Sequence, residues 1–210
     1  MKKILYLKIF VAVIIMACVV SATILLLLPR REIYNYLYEQ QKMDEQIEMS
    51  AFEAELNYDG IVQQIMGNQE VIGLSTYDSS EDLNNKILRL QRIYLCCKWI
   101  CGMGILLSVA GLIVLRNQKW YEVLNLSGLI TIGFSVLMAS IGYFVKPFRL
   151  FIFESQYGEF FGYDPMLVQI LPEHWALYTF LIGTGFVLFI GIIFMLLHIG
   201  SRKSYKPHKF

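Results

Sequence analysis

The sequence predicts an all-α, polytopic membrane protein, with four transmembrane helices and two extracytoplasmic loops that contain helical segments. Three observations predict it. Apolar residues make up 56% of the 210 and charged residues 17%, where soluble domains average roughly 45–50% and 25%. The formal net charge of +1 hides a segregation, because sixteen of the 17 acidic residues lie in Glu32–Asp82 and Glu154–Glu173. Finally, four apolar runs are each long enough to cross a hydrocarbon core of ~30 Å. They fall at about 4–28, 93–115, 123–145 and 176–197, leaving loops 29–92 and 146–175 in a single integral membrane domain spanning 1–210.

The first run begins after Met1-Lys2-Lys3 and is interrupted only by Lys8. A secretory core of 7–15 apolar residues is shorter than this, so the run is expected to stay as an uncleaved anchor. Ile15-Met16-Ala17-Cys18 loosely resembles a lipoprotein cleavage site, but it lies in the middle of the run.

Pro29 ends the run and Arg30-Arg31 follow at the interface. In the first loop, Tyr34, Tyr36 and Tyr38 have a strand-like spacing of two, while Asn35 to Glu55 reads as a helix for want of breakers. Asn57-Tyr58-Asp59-Gly60 is a turn signal and Ile61 to Met66 a short second helix. Ser79-Ser80 can cap a helix whose Leu83, Ile87 and Leu90 share a face, and which runs on into the second span. In that span Gly104, Ser108 and Gly111 form a small-residue face suited to close helix packing. Gly128, Gly133, Ser135, Ala139 and Gly142 do the same in the third. Arg116, Lys119 and Trp120 form the short turn between the two.

Basic residues beside short connections orient a membrane protein. Lys2, Lys3, Arg116, Lys119 and the tail residues Arg202, Lys203, Lys206 and Lys209 fall on one side in a four-helix topology. That side is expected to be the cytoplasm, with both termini there and the protein multi-pass in the plasma membrane. Arg30, Arg31, Lys86, Arg89, Arg92, Lys146 and Arg149 then lie on the other face, against the usual trend.

Residues 146–175 mix aromatics with Lys146, Arg149, Glu154, Glu159, Asp164 and Glu173. Aromatic rings with polar neighbours settle at headgroup depth, which places any chemistry there. Cys18, Cys96, Cys97 and Cys101 all sit in apolar runs, so they form neither a disulfide framework nor a zinc spacing. No metal or cofactor motif is present, and no basic surface suggests nucleic acid. Acids within the spans, which mark ion pathways, are limited to Glu122 at an edge, which argues against a transporter.

Tyr163-Asp164-Pro165 with Ile170-Leu171-Pro172-Glu173, and Asn57-Tyr58 in the first loop, carry a resemblance. The chain resembles the bacterial integral membrane proteins that include the lipoprotein intramolecular transacylase. The resemblance implies an acyl chain moved from a glyceryl oxygen to the N-terminal cysteine amine of a diacylglyceryl lipoprotein. It also implies membrane lipids and such lipoproteins as partners. The family pattern has a His before Asp-Val-Lys in the first loop and a second His after a Phe in the second. Here Glu81 stands at the first His, Asn84 at the Asp, and Lys86 is kept. The second position falls on Phe148-Arg149 or Phe151-Ile152.

Such a reaction needs a base to free the attacking amine and donors for the tetrahedral oxyanion. His174 and Glu81 are the candidate bases. Lys86, Arg149, Asp164 and Glu173 are the candidate substrate-binding residues. Each has a plainer reading beside it. His174-Trp175 can anchor the fourth helix at the interface, and Glu81 can serve the first turn of its helix. Lys86 and Arg149 can meet lipid headgroups, Asp164-Pro165 can be a turn, and Glu173 suits the start of the last helix. The alternative to an enzyme is a non-catalytic relative that binds lipid or a membrane partner through the same loops.

Overall fold

The computed structural model describes residues 2–43, 50–67, 81–116, 120–146, 170–172 and 174–204, with no side-chain detail for 81–83 and 202–204. Among them the regular structure is helical: α1 Lys2–Leu27, α2 Arg31–Gln40, α3 Ala51–Ile65, α4 Glu81–Val114, α5 Tyr121–Phe144 and α6 Trp175–Ser204. Four of these, α1, α4, α5 and α6, are long and apolar enough to cross a membrane. The protein is a multi-pass membrane protein, as the composition predicts. The second predicted span extends N-terminally: α4 has 34 residues, about 50 Å of helix, so it takes in the end of the first loop as well as the span.

The loop differs from the sequence reading in three ways. The helix expected over Asn35–Glu55 is broken, because α2 stops at Gln40 and Lys42 takes a φ of 49°. Residues 57–60 are not a turn but lie inside α3, which also absorbs the short helix expected at 61–66. The reason is a strong start followed by burial. Ser50 Oγ accepts from the Glu53 amide while the Glu53 carboxylate accepts from the Ser50 amide, a reciprocal cap. The Ser50 hydroxyl also donates to the Glu53 carboxylate at 2.8 Å, and together with the Ser50 amide it holds that carboxyl below its ordinary range. Asn57 and Tyr58 are then buried on the inner face of α3, and packing overrides the weak local preference for a turn. The three tyrosines are helical rather than strand-like. Tyr34 and Tyr38, four apart, share the buried face of α2, and Tyr36 points to the opposite, exposed one.

Contacts group the chain into two compact units. The first comprises Met1–Thr23, Cys97–Ala139 and Gly183–Phe210. Its small residues permit close helix approach. A side chain at Gly104 would strike the Cys18 sulfur, and one at Gly111 would strike Val11. A Cβ on Gly128 would lie 2.9 Å from the backbone oxygen of Gly191. Gly133, by contrast, faces open space. Gly128→Ala is expected to destabilise the α5–α6 crossing by about 1–3 kcal/mol, since a carbonyl on a packed helix cannot swing aside. Thermal unfolding in detergent checks this, and an unchanged midpoint would refute it.

In the same unit Lys8 Nζ meets the Glu122 carboxylate at 2.7 Å, with the lysine side chain only 12% exposed. His198 Nδ1 lies 2.9 Å from the Tyr121 carbonyl oxygen. Lys8, within the first span, and Glu122, at the edge of the third, are therefore partners, which offsets the cost of an isolated charge.

Candidate functional site

The second unit, Ile24–Cys96 with Ser140–Ile182, holds the candidate site. It is built on an aromatic core. The Tyr34 and Tyr58 rings stack with centroids 4.1 Å apart, and Tyr58 meets Trp175 edge-on at 5.9 Å. Tyr34 Oη donates to the carbonyl of Ile170 at 3.0 Å, and Tyr58 Oη donates to that of Leu28 at 3.4 Å. Two phenols thus fasten the ends of two apolar segments: one where α1 finishes, the other just before α6. Ile170, Pro172 and Trp175 are all buried, so the Leu-Pro element of the sequence is docked on α2 and α3. Arg31 adds ion pairs to Glu55, at 3.2 Å, and to Asp59. With the guanidinium half in solvent these contribute little stability, but they fix α2 against α3.

A small cavity of about 20 Å³ opens beside this core, lined by Tyr58, Ile61 and Ile65 of α3, Lys86, Ile87 and Leu90 of α4, and Leu171 and Trp175. That volume admits one water- or methyl-sized group. Lys86 is the charged residue on its wall among the described residues. Asn57 and Gln64 are buried polar residues of the same helix, α3, and Gln64 Oε1 has no hydrogen-bond partner among the described residues.

Burial dominates the electrostatics of the two phenols. Burial, reinforced by nearby Tyr38, Tyr58, Glu55 and Asp59, raises the Tyr34 phenol well above its ordinary range. Burial, with Asp59 and Glu32 adding to it against the opposing Arg31, does the same for Tyr58. Neutral phenols donate hydrogen bonds and do not act as bases. The ammonium of Lys86 at an apolar wall is suited to stabilising developing negative charge.

Of the residues singled out from the sequence, Lys86 is half-buried at the cavity. His174 is exposed and immediately precedes Trp175 at the start of α6. Its φ of 59° lies in the left-handed region, and its carbonyl accepts from the Tyr178 amide at 2.9 Å. Glu81 is the first residue of α4, its side chain outside the described set. Arg149, Asp164 and Glu173 lie outside the described residues altogether. The sequence reading missed Tyr34 and Trp175 as organisers of the site. The signal for Tyr34 was its four-residue spacing to Tyr38 on an amphipathic helix, read instead as a spacing of two.

A family profile described as "Lipoprotein intramolecular transacylase Lit" matches residues 8–176. The chain belongs to the Lit family. The match takes in α1 to α5 and reaches Trp175, so the residues that build the aromatic core all lie within the Lit region. In fold, the chain is similar to the in meso structure of the membrane-integral lipoprotein intramolecular transacylase Lit from Bacillus cereus. The TM-score is 0.83 at 18% identity, covering 97% of this chain and 99% of that one. A variant of that Lit with one histidine changed to arginine aligns with a TM-score of 0.81 at 19% identity, over 97% and 96% of the two chains. A variant with a histidine changed to alanine gives 0.81 at 19%, over 97% of each. At these identities the Lit structures speak for the fold. No protein of curated function matches the chain.

Proposed function

We propose that this protein is a membrane acyltransferase of Lit type, moving an acyl chain from a glyceryl oxygen to the N-terminal cysteine amine of a diacylglyceryl lipoprotein. The observation that carries the reading is the family match over residues 8–176, which spans the whole aromatic site. The fold supports it by placing a half-buried Lys86 on the wall of an apolar cavity. In the reaction a base takes a proton from the ammonium, and the free amine attacks the ester carbonyl. The tetrahedral oxyanion is held by a cation or donor until the carbon–oxygen bond to glycerol breaks. The nitrogen of the tetrahedral adduct gives up a second proton, which the departing glyceryl oxygen takes up, leaving an amide and a free hydroxyl, while the first proton passes from the base to solvent. His174 is the base in this reading, with Glu81 as its substitute, and Lys86 holds the oxyanion. Arg149, Asp164 and Glu173 contact the lipoprotein substrate. The protein sits in the plasma membrane with both termini cytoplasmic and the site at the other face, where lipid-anchored substrates present their N-terminus.

A specific observation favours a second reading, a non-catalytic relative that binds lipid or a membrane partner. Glu81 and Phe148-Arg149 or Phe151-Ile152 stand where the resembled family has histidines. One experiment separates the two. A reporter lipoprotein is co-expressed with this protein in a host that makes only the diacylglyceryl form, and its N-terminal lipopeptide is fragmented by tandem mass spectrometry. An isomer has the same intact mass, so fragment ions must place each chain. An acyl group on the cysteine nitrogen establishes the enzyme. Both chains still on glycerol, with the protein folded in the membrane, favour the second reading.

A further inference from the structure

The basic residues facing against the usual charge trend do not all behave alike. Arg30 pairs with Glu32 at 3.6 Å, and Arg31 with Glu55 and Asp59. Lys86 turns to the cavity wall. Arg89 and Arg92 are exposed, and no acid among the described residues pairs with either. They lie three residues apart on α4, with Cys96 four further on, so all three share one face of the helix. That face is turned away from the core of its unit, into which Ile87 and Tyr94 point. Beside and below the arginines the surface carries no charge up to Cys96, with Ile93 41% exposed and Cys96 exposed. The rest of α4, from Ile93 to Val114, is about 33 Å long, close to the thickness of a hydrocarbon core. A hydrocarbon core matched to that length would put the two guanidiniums at the level of the lipid phosphates.

We infer that Arg89 and Arg92 form a binding site for one anionic phospholipid of the surrounding leaflet, the headgroup phosphate held between the guanidiniums and its chains lying along Ile93 and Cys96. A guanidinium fork matches phosphate oxygens in pairs, and two on adjacent turns present such forks to one headgroup. The site is distinct from that of the acyl-transfer substrate, because a diacylglyceryl thioether carries no phosphate.

The test is native mass spectrometry of the full-length protein in detergent, with dioleoyl phosphatidylglycerol and dioleoyl phosphatidylcholine offered in equal amounts. Phosphatidylglycerol is expected to be retained by preference. Arg89→Gln/Arg92→Gln should reduce that preference by roughly 10- to 30-fold, and each single change should give a part of the loss. Arg89→Lys/Arg92→Lys keeps the charge but loses the paired forks, so its preference should fall between those of the parent and the glutamine variant. A circular dichroism spectrum and melting midpoint like the parent's guard against a folding defect in either. Equal retention of the two lipids by the unaltered protein overturns the proposal. So does a preference that survives the double glutamine change. Displacement of the lipid by millimolar inorganic phosphate also overturns it, because the site would then be one for free phosphate.

Discussion

His174→Ala lowers acyl transfer to the cysteine amine by roughly 100- to 10,000-fold, the range for loss of a positioned general base. The measurement is the fraction of reporter lipopeptide carrying an N-acyl group, followed over time. His174→Gly separates chemistry from structure. An L-residue in the left-handed region costs about 1–2 kcal/mol, and His174 is held there at φ 59°. Glycine removes that cost but loses more chain entropy on folding, so the glycine variant should be as stable as the parent or gain up to about 1 kcal/mol. An inactive but undiminished His174→Gly protein supports the imidazole as base. Full activity in His174→Ala transfers the role to Glu81, and Glu81→Ala must then be inactive. If both variants transfer acyl groups at the parent rate, the assignment of the base is wrong.

Tyr58→Ala destabilises the protein by about 3–5 kcal/mol, as expected for removal of a fully buried aromatic side chain. The ring is 1% exposed, stacks on Tyr34 and supports Trp175, so no neighbour can close the space without parting from another. Tyr34→Phe keeps the stack and removes only the donor to the Ile170 carbonyl, leaving a buried acceptor unpaired at a cost of about 1–3 kcal/mol. Denaturant unfolding in detergent ranks the two, and a larger loss in Tyr34→Phe would contradict this account. The same pair gives the stability a pH dependence. Both phenols have folded-state values raised above the ordinary one near 10. Between the unfolded and folded values the folded state keeps protons that the unfolded state releases, so stability falls as pH rises. The contribution is complete below about pH 10 and is lost above it. Replacing both tyrosines with phenylalanine should flatten the alkaline limb, and an unchanged limb would place its origin elsewhere.

How much of the site was legible before the fold can be seen from Lys86 and Tyr34. A short motif singles out Lys86, and the fold sets that residue on the cavity wall. Tyr34 was passed over because its role depends on Ile170, 136 residues away in the chain. The turn expected at Asn57–Gly60 shows the same limit from the other side. Local propensity is worth less than a kcal/mol per residue, and burial of Tyr58 exceeds it.

The sequence by itself determined the class of the protein. A run of some twenty apolar residues has one stable place, a bilayer, and there its backbone must close its hydrogen bonds as a helix. That requirement is local, so the four spans are readable from the pattern of apolar residues alone. Only the tertiary structure decided that Lys8 and Glu122 are partners, that α4 takes in the end of the first loop as well as its span, and that Tyr34, Tyr58 and Trp175 form one core. These depend on which faces of distant segments meet, a matter of packing geometry and desolvation that no local pattern of residues encodes.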